Sequence, residues 1–293
     1  ELTQTSLMAW EDYPSDPELL SLFSVDGSQY KWGGDVGTAP TLTYSFASMA
    51  SFIDGGTYTF GSDYYDAIDG DFDFVADTML QKFSESSDYH FNTFSELEKA
   101  TLTSVLDDWS DASGITFTEV SDDLDTYGDI RFFLMDFPTW AQEYDIFNSG
   151  AFAFKPGAMG QQSAPLYGDI FLRSDYEVGD GTFIHTATHE IGHALGLDHP
   201  QDGTATGSYQ SVTADQSDKT VMGYDSYIYD ESGIEIEQPG EFSFLQGNNL
   251  LPLDIDAMEL LYGGNDDVRI GSDIYRFDPE IYDPSDVWVA QYR

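Results

Sequence analysis

The sequence predicts an α+β fold in which a twisted, mixed β-sheet packs against helices. Three observations lead to this prediction. Short runs of β-branched and aromatic residues recur up to Arg173, three segments show helical periodicity, and no convincing internal repeat is present. With 293 residues, of which 41% are hydrophobic, the chain is long enough for one large domain or two modest ones.

The strand predictions follow from local composition. The first 40 residues read as an irregular start with one short helix, Pro17–Phe23. Thr41–Phe46 alternates as a half-buried strand does, and residues 54–77, rich in Gly, Asp and Tyr, predict a long loop or lid. Four further strands are predicted at Gly114–Val120, Asp129–Phe137, Gly150–Phe154 and Gly168–Arg173.

The first long helix is predicted over Asn92–Ser113. A capping box formed by Thr93 with Glu96, or by Ser95 with Glu98, marks its beginning. The glycine that follows Ser113 supplies the stop. Apolar residues recur between these signals at helical spacing, namely Leu102, Val105, Leu106 and Trp109.

Two more helices are predicted in the second half of the chain. The first runs from about Gly181 to Leu195, with Asp180 or Thr182 as its N-cap. The second covers Leu253–Tyr262 and ends at a pair of glycines. Residues between them have little periodicity, which predicts an irregular region.

The net charge of −44 is the strongest compositional signal. It argues against nucleic acid and anionic membranes as partners, because both would be repelled. Three explanations stay open: a surface adapted to salty water, carboxylates that bind calcium, or the general solubility of a secreted protein. No run of 18 apolar residues occurs, so no membrane span is expected.

The chain contains no cysteine, which removes disulfides, thiolate chemistry and cysteine zinc sites, and leaves the cellular compartment open. Residues 1–10 lack the basic region and apolar run of a signal peptide, so we expect a mature or trimmed form. A cysteine-free, acidic hydrolase is compatible with bacterial secretion.

One eleven-residue window, HEIGHALGLDH, carries the chemistry. On a helix, His189 and His193 lie on the same face about 6 Å apart along the axis. Both imidazoles can therefore reach one zinc ion at about 2.0–2.1 Å. Glu190 is angularly offset from them, so its carboxylate can meet a metal-bound water without occupying the metal.

A third ligand requires the chain to turn back after the helix. Gly196 permits this turn because a residue without a Cβ adopts positive φ at low cost, and His199 is then directed towards the ion. Three neutral imidazoles leave a fourth position for water, as in catalytic zinc sites. Of the other two histidines, His185 is expected to be a packing or supporting residue and His90 a surface residue.

A second signal, Val221-Met222-Gly223-Tyr224, lies downstream of the histidines. A methionine in a tight turn can form an apolar floor beneath three imidazoles, because its thioether is soft and adaptable. Tyr224, two residues further on, can project its phenol towards the metal.

The pairing of HEIGHALGLDHP with Met222 and Tyr224 resembles the metzincin metalloproteases and, within that clan, the serralysin type, in which a tyrosine follows the methionine at this spacing. Matrix metalloproteases share much of the zinc segment but usually have proline there. The likeness is strong over residues 180–265 and looser over 30–175. The acidic residues 54–90 look like an insertion.

The resemblance implies a zincin fold with a catalytic domain over residues 1–265. An upper subdomain, to about residue 199, would hold a five-stranded mixed sheet and two long helices, and a smaller, irregular lower subdomain would follow. Residues 266–293 would begin a C-terminal calcium-binding β-roll or extension, with Arg269, Gly271 and Asp273 in its first calcium loop. The family's substrate-binding edge strand, which holds peptide by strand addition, matches Gly150, Ala151, Phe152, Ala153 and Phe154.

The resemblance further implies a secreted endopeptidase with one catalytic zinc ion and Glu190 as general base. Tyr224 would ligate the resting metal and later donate a hydrogen bond to the oxyanion. The expected partners are polypeptide substrates, and a monomer is expected. Three alternatives stay open: a zinc amidase of another substrate class, an inactive acidic calcium-binding or adhesion module on a protease scaffold, and a matrix-metalloprotease-like enzyme, which Tyr224 disfavours.

Overall fold

The computed structural model describes residues 3–24, 27–47, 53–54, 57–58, 91–123, 126–135, 151–158, 166–178, 181–200, 219–223, 228–229, 235–237 and 250–265. Its helices are α1 (Pro17–Leu20), α2 (Glu96–Ser113), α3 (Thr182–Ala194) and α4 (Pro252–Tyr262). Its strands are β1 (Thr5–Leu7), β2 (Tyr30–Trp32), β3 (Thr41–Phe46), β4 (Ile53–Asp54), β5 (Thr57–Tyr58), β6 (Phe91–Asn92), β7 (Thr116–Glu119), β8 (Ile130–Met135), β9 (Ala151–Ala153), β10 (Asp169–Arg173), β11 (Ile228–Tyr229) and β12 (Glu235–Glu237).

The central sheet has the strand order β7-β3-β8-β10-β9. The first four of these strands run parallel, β9 is antiparallel to β10, and β6 pairs antiparallel with the end of β8. Every residue of β8 is buried, as expected for a parallel strand covered on both faces. The α+β architecture with a mixed five-stranded sheet and two long helices is therefore confirmed.

Helix α2 forms as its local signals predict. Of the two possible capping boxes, the structure has the one in which Ser95 Oγ accepts from the Glu98 backbone N–H and the Glu98 carboxylate accepts from the Ser95 N–H. Gly114 ends the helix at φ 66°, in the left-handed region that favours glycine. The apolar residues predicted to share one face are all buried in the core: Leu102, Val105, Leu106 and Trp109.

The structure corrects several predicted boundaries. Helix α2 starts at Glu96 rather than Asn92, because Ser95 is its cap and Asn92 belongs to β6. The N-cap of α3 is Gly181, at φ 81° and without a side-chain cap, so Thr182 is not the N-cap; Asp180 lies outside the described residues. Helix α4 begins at Pro252, one residue earlier than predicted, because proline is favoured at the first position of a helix.

The first 40 residues contain regular structure that the sequence did not predict. Strands β1 and β2 pair antiparallel, with Thr5 opposite Trp32. Each strand has only three residues and the two are far apart along the chain, so neither leaves a recognisable periodic pattern. Among the described residues, no helix is long and apolar enough to cross a membrane.

Candidate metal centre

Helix α3 carries three side chains of the predicted site. His189 and Glu190 are buried, and His193 lies one turn further along the helix. The helix packs against α2, β9 and β10. Its direction, and hence the direction of the two imidazoles, is therefore set by the core of the domain.

Two aromatic side chains donate hydrogen bonds to backbone carbonyls at the C-terminal end of α3. The indole of Trp32 donates to the Ala194 carbonyl at 2.9 Å, and the Tyr262 hydroxyl donates to the Leu195 carbonyl at 2.7 Å. Helix ends leave carbonyl groups without intrahelical partners, and buried ones require a donor. The N-terminal segment and α4 thus both fix the point at which the chain leaves the helix.

The chain turns back at Gly196, which has φ 112°. The Leu197 N–H donates to the Gly192 carbonyl and the Gly196 N–H donates to the His193 carbonyl, which together form a Schellman motif. The Gln29 side-chain amide donates to the Gly196 carbonyl at 2.8 Å and holds the turn from the other side.

This turn brings three imidazoles together. The Nε2 atoms of His189 and His193 are 3.1 Å apart, those of His189 and His199 are 3.1 Å apart, and those of His193 and His199 are 2.9 Å apart. Within the described part of the chain, these histidines form the one group of His, Cys, Asp or Glu side chains able to hold a metal ion.

The hydrogen bonds made by the Nδ1 atoms of two imidazoles show whether their Nε2 atoms can bind a cation. The Nδ1 atoms of His189 and His193 lie 2.7 Å from the carbonyls of Val221 and Leu197, and a carbonyl only accepts. Each neutral ring therefore carries its proton on Nδ1 and a lone pair on Nε2. Two lone pairs facing each other at 3.1 Å repel, and a divalent cation converts this repulsion into coordination. The donor set fits zinc, a common metal for imidazole ligands.

The electrostatics of the site favour neutral rings and a reactive carboxylate. Burial, followed by the neighbouring His189 and His199, holds the pKa of His193 well below its usual value. Burial raises the pKa of Glu190 to about 8, and its Oε2 accepts no hydrogen bond from the described residues. A nearby cation acts in the opposite direction, because it favours the carboxylate anion.

Met222 lies directly against helix α3. Its side chain is fully buried, and a Cβ added at Gly192 would be 2.5 Å from its sulfur and 3.3 Å from the Trp109 ring. Only a glycine at position 192, between the two helical histidines, allows this close approach. The contact gives the turn around Met222 a fixed distance from the imidazoles.

Asp254 is a supporting residue that the sequence did not single out. One of its oxygens accepts from the Thr220 hydroxyl at 2.5 Å, and the other accepts from the Val221 and Leu251 N–H groups. The carbonyl of the same Val221 orients His189. The available signal was an acidic residue in the first turn of a helix that begins with proline, but nothing in the sequence shows what such a residue binds.

The remaining predicted residues are placed as follows. His185, one turn before His189, is not part of the histidine cluster. Ala151–Ala153 form β9, and Phe154 continues the pairing, since its N–H donates to the Asp169 carbonyl. Outside the described residues lie His90, Gly150, Tyr224, Arg269, Gly271 and Asp273.

Comparison with known proteins points to one group of enzymes. The matrixin peptidase family model matches residues 83–225, a segment that includes α2, the sheet strands β7 to β10, and the histidine cluster.

Three bacterial relatives illustrate the similarity. The serralysin of Photorhabdus laumondii is 28% identical over 208 residues, covering 68% of this chain and 41% of the relative. The serralysin of Proteus mirabilis is 33% identical over 212 residues, covering 68% and 40%. The metallopeptidase AprA of Pseudomonas marginalis is 27% identical over 263 residues, covering 85% and 51%. The chain thus spans about half, or less, of the length of the curated relatives it matches.

Replacing Gly196 tests the role of the turn. We expect Gly196→Ala to lower the free energy of unfolding by about 1–3 kcal/mol, because a residue with a Cβ is strained at this φ. The new Cβ would also lie 2.9 Å from the Tyr30 carbonyl oxygen. The resulting shift of His199 should weaken zinc affinity at least about tenfold. Urea unfolding of the apoprotein and competition with a zinc chelator measure the two effects.

Gly34→Ala is the matched control for this variant. Gly34 does not have positive φ, and its added Cβ would meet Thr38 Oγ1 at 3.8 Å, an ordinary contact. We expect both its stability and its zinc affinity to stay at the wild-type level. Equal losses of affinity in the two variants would show that the turn at Gly196 has no particular role.

Proposed function

Because the chain carries a metzincin metalloprotease domain of the serralysin type, we propose that it is a zinc-dependent endopeptidase that hydrolyses peptide bonds within proteins. The observation that carries this proposal is the convergence of three imidazole Nε2 atoms at 2.9–3.1 Å from one another, together with a buried carboxylate on α3, the helix that carries two of the three histidines. His189, His193 and His199 would hold the ion, and Glu190 is that carboxylate.

Each residue of the site has a distinct task in the proposed reaction. Zinc, when bound, lowers the pKa of a water molecule to about 7 and polarises the scissile carbonyl. Glu190 would accept the proton of the attacking water and return it to the leaving amine, a role that its buried position next to the ligand His189 on α3 supports. Tyr224 would be a further ligand of the metal and would donate a hydrogen bond to the developing oxyanion. Met222 forms the apolar floor of the site.

Substrate would bind along the sheet. Strand β9 ends the strand order of the central sheet and packs beside α3, the helix that carries His189 and His193. We propose that residues 150–154 hold an extended peptide by strand addition, with its scissile bond over the metal centre.

The whole-protein context is proposed on the same basis. We propose that residues 1–265 form the catalytic domain, divided at about residue 199, that residues 266–293 belong to a separate C-terminal region, and that Arg269, Gly271 and Asp273 would take part in calcium binding there. The protein would act as a monomer outside a bacterial cell. Its net charge of −44 would keep its surface hydrated in salty water.

Replacing the proposed general base separates metal binding from chemistry. We expect Glu190→Ala to retain zinc and to lose about 10²–10⁴-fold in kcat/KM, the usual range for general acid–base catalysis. Cleavage of a quenched fluorescent peptide and of casein, together with the zinc content of the purified protein, provides the measurement.

Glu177→Ala is the control for the loss of one acidic side chain. Glu177 is exposed and lies before helix α3, so we expect wild-type activity. A Glu190→Ala sample that still cleaves casein at the wild-type rate would refute its role. A wild-type protein that binds zinc but cleaves only small amides would favour an amidase, and one that binds zinc and cleaves nothing would favour an inactive module.

The phenol of Tyr224 is tested by removing one oxygen atom. We expect Tyr224→Phe to lower kcat about 10²-fold with little change in KM, because an oxyanion donor acts mainly in the transition state. Steady-state kinetics on one peptide substrate distinguish this result from a change in KM alone, which would assign the residue to ground-state binding.

A further inference from the structure

A second polar cluster lies beside the metal centre, and the roles proposed above do not use it. The Lys155 ammonium pairs with Asp198 Oδ1, and Ser24 Oγ donates to Asp198 Oδ2 at 2.5 Å. Lys155 Nζ also donates to Ser24 Oγ at 3.2 Å. The three side chains therefore form a closed triangle, although they come from three distant parts of the chain.

Asp198 occupies the position where this cluster can influence the ligands. It stands between Leu197, whose carbonyl accepts from His193 Nδ1, and His199, whose Nε2 belongs to the histidine cluster. A displacement of Asp198 would therefore move one ligand directly and would also disturb the group that orients another.

The triangle holds this loop from two sides. On one side, the Asp198 N–H donates to the Leu22 carbonyl, so the N-terminal segment already contacts the loop backbone. On the other side, Lys155 follows β9 closely, and the backbone pairing of Phe154 with Asp169 fixes its starting point in the sheet. Lys155 is thus the connection between the sheet and the loop that carries His199.

We propose that Lys155, Asp198 and Ser24 form a strut that holds His199 in position to bind the metal, so that Asp198 and Lys155 are positioning residues of the metal centre. This inference rests on the proposed function, because it concerns the same zinc site. It adds to that proposal a requirement for side chains outside the proposed ligand set and outside the proposed substrate strand, residues 150–154.

A purely superficial ion pair would have little effect, since exposed pairs contribute little to stability. The Lys155 side chain is 37% exposed, but Asp198 is only 19% exposed and both of its carboxylate oxygens are engaged. Removal of the ammonium would leave a partly buried carboxylate with an unmatched charge beside a metal ligand.

The test measures zinc affinity in Lys155→Met, Asp198→Asn and the double variant. Methionine keeps the length of the stem and removes the charge, and asparagine keeps the shape of the carboxylate. By competition with a chromogenic chelator, we expect each single variant to bind zinc about tenfold more weakly than wild type, the usual effect of losing a partner that supports a ligand. If Lys155 acts through Asp198, the double variant binds no more weakly than Asp198→Asn.

Lys99→Met is the matched control. Lys99 is 32% exposed and pairs at 3.2 Å with Glu96 of α2, which is 93% exposed. We expect its zinc affinity to equal that of wild type. Ser24→Ala removes one member of the triangle without changing the charge, and it provides a second test if Asp198→Asn does not fold. We expect it to lose less zinc affinity than Lys155→Met or Asp198→Asn.

Cobalt substitution gives a readout that a merely structural role would not change. We expect the visible absorption bands of the Co²⁺-loaded protein to shift in Lys155→Met and Asp198→Asn and to stay unchanged in Lys99→Met. Variants that melt at lower temperature but keep wild-type zinc affinity and cobalt spectrum would overturn the strut and leave the proposed function intact. A wild-type protein that binds no zinc would overturn both.

Discussion

The structure depends on one electrostatic constraint, which is that three imidazole Nε2 atoms converge to within 3.1 Å of one another. Two of the rings cannot avoid this by changing tautomer, because the Nδ1 protons of His189 and His193 are held by backbone carbonyls at 2.7 Å. Burial of His189 and Glu190 also excludes the water that would otherwise solvate these groups. The domain therefore keeps together an arrangement that is unfavourable without a cation.

Several supporting groups come from the two ends of the domain, in addition to the Leu197 carbonyl within the histidine window, which orients His193. The N-terminal segment provides Gln29 for the turn and Trp32 for the end of α3, while α4 provides Tyr262 for the same helix end and Asp254 for the turn at Met222. Each of these groups donates to or accepts from the backbone. Their effect is to fix where the chain leaves the helix and where the carbonyls that orient the rings lie.

Sequence reasoning recovered the parts of the molecule that are encoded locally. The capping box and Gly114 set the limits of α2, the β-branched and aromatic runs gave the sheet strands, and a glycine at position 196 indicated the turn with positive φ. It could not find contacts made across long separations. Gln29 shows why: its side-chain amide donates to the Gly196 carbonyl, 167 positions further along the chain, and no local pattern around either residue indicates this contact.

X-ray absorption at the zinc edge, on protein loaded with one equivalent of zinc, reports the ligands themselves. Coordination by the histidine cluster predicts three imidazole nitrogens at about 2.0–2.1 Å and one or two further light-atom ligands. It also predicts that one imidazole contribution disappears in His199→Ala. A first shell made only of oxygen, or a spectrum that is the same in wild type and His199→Ala, would contradict it.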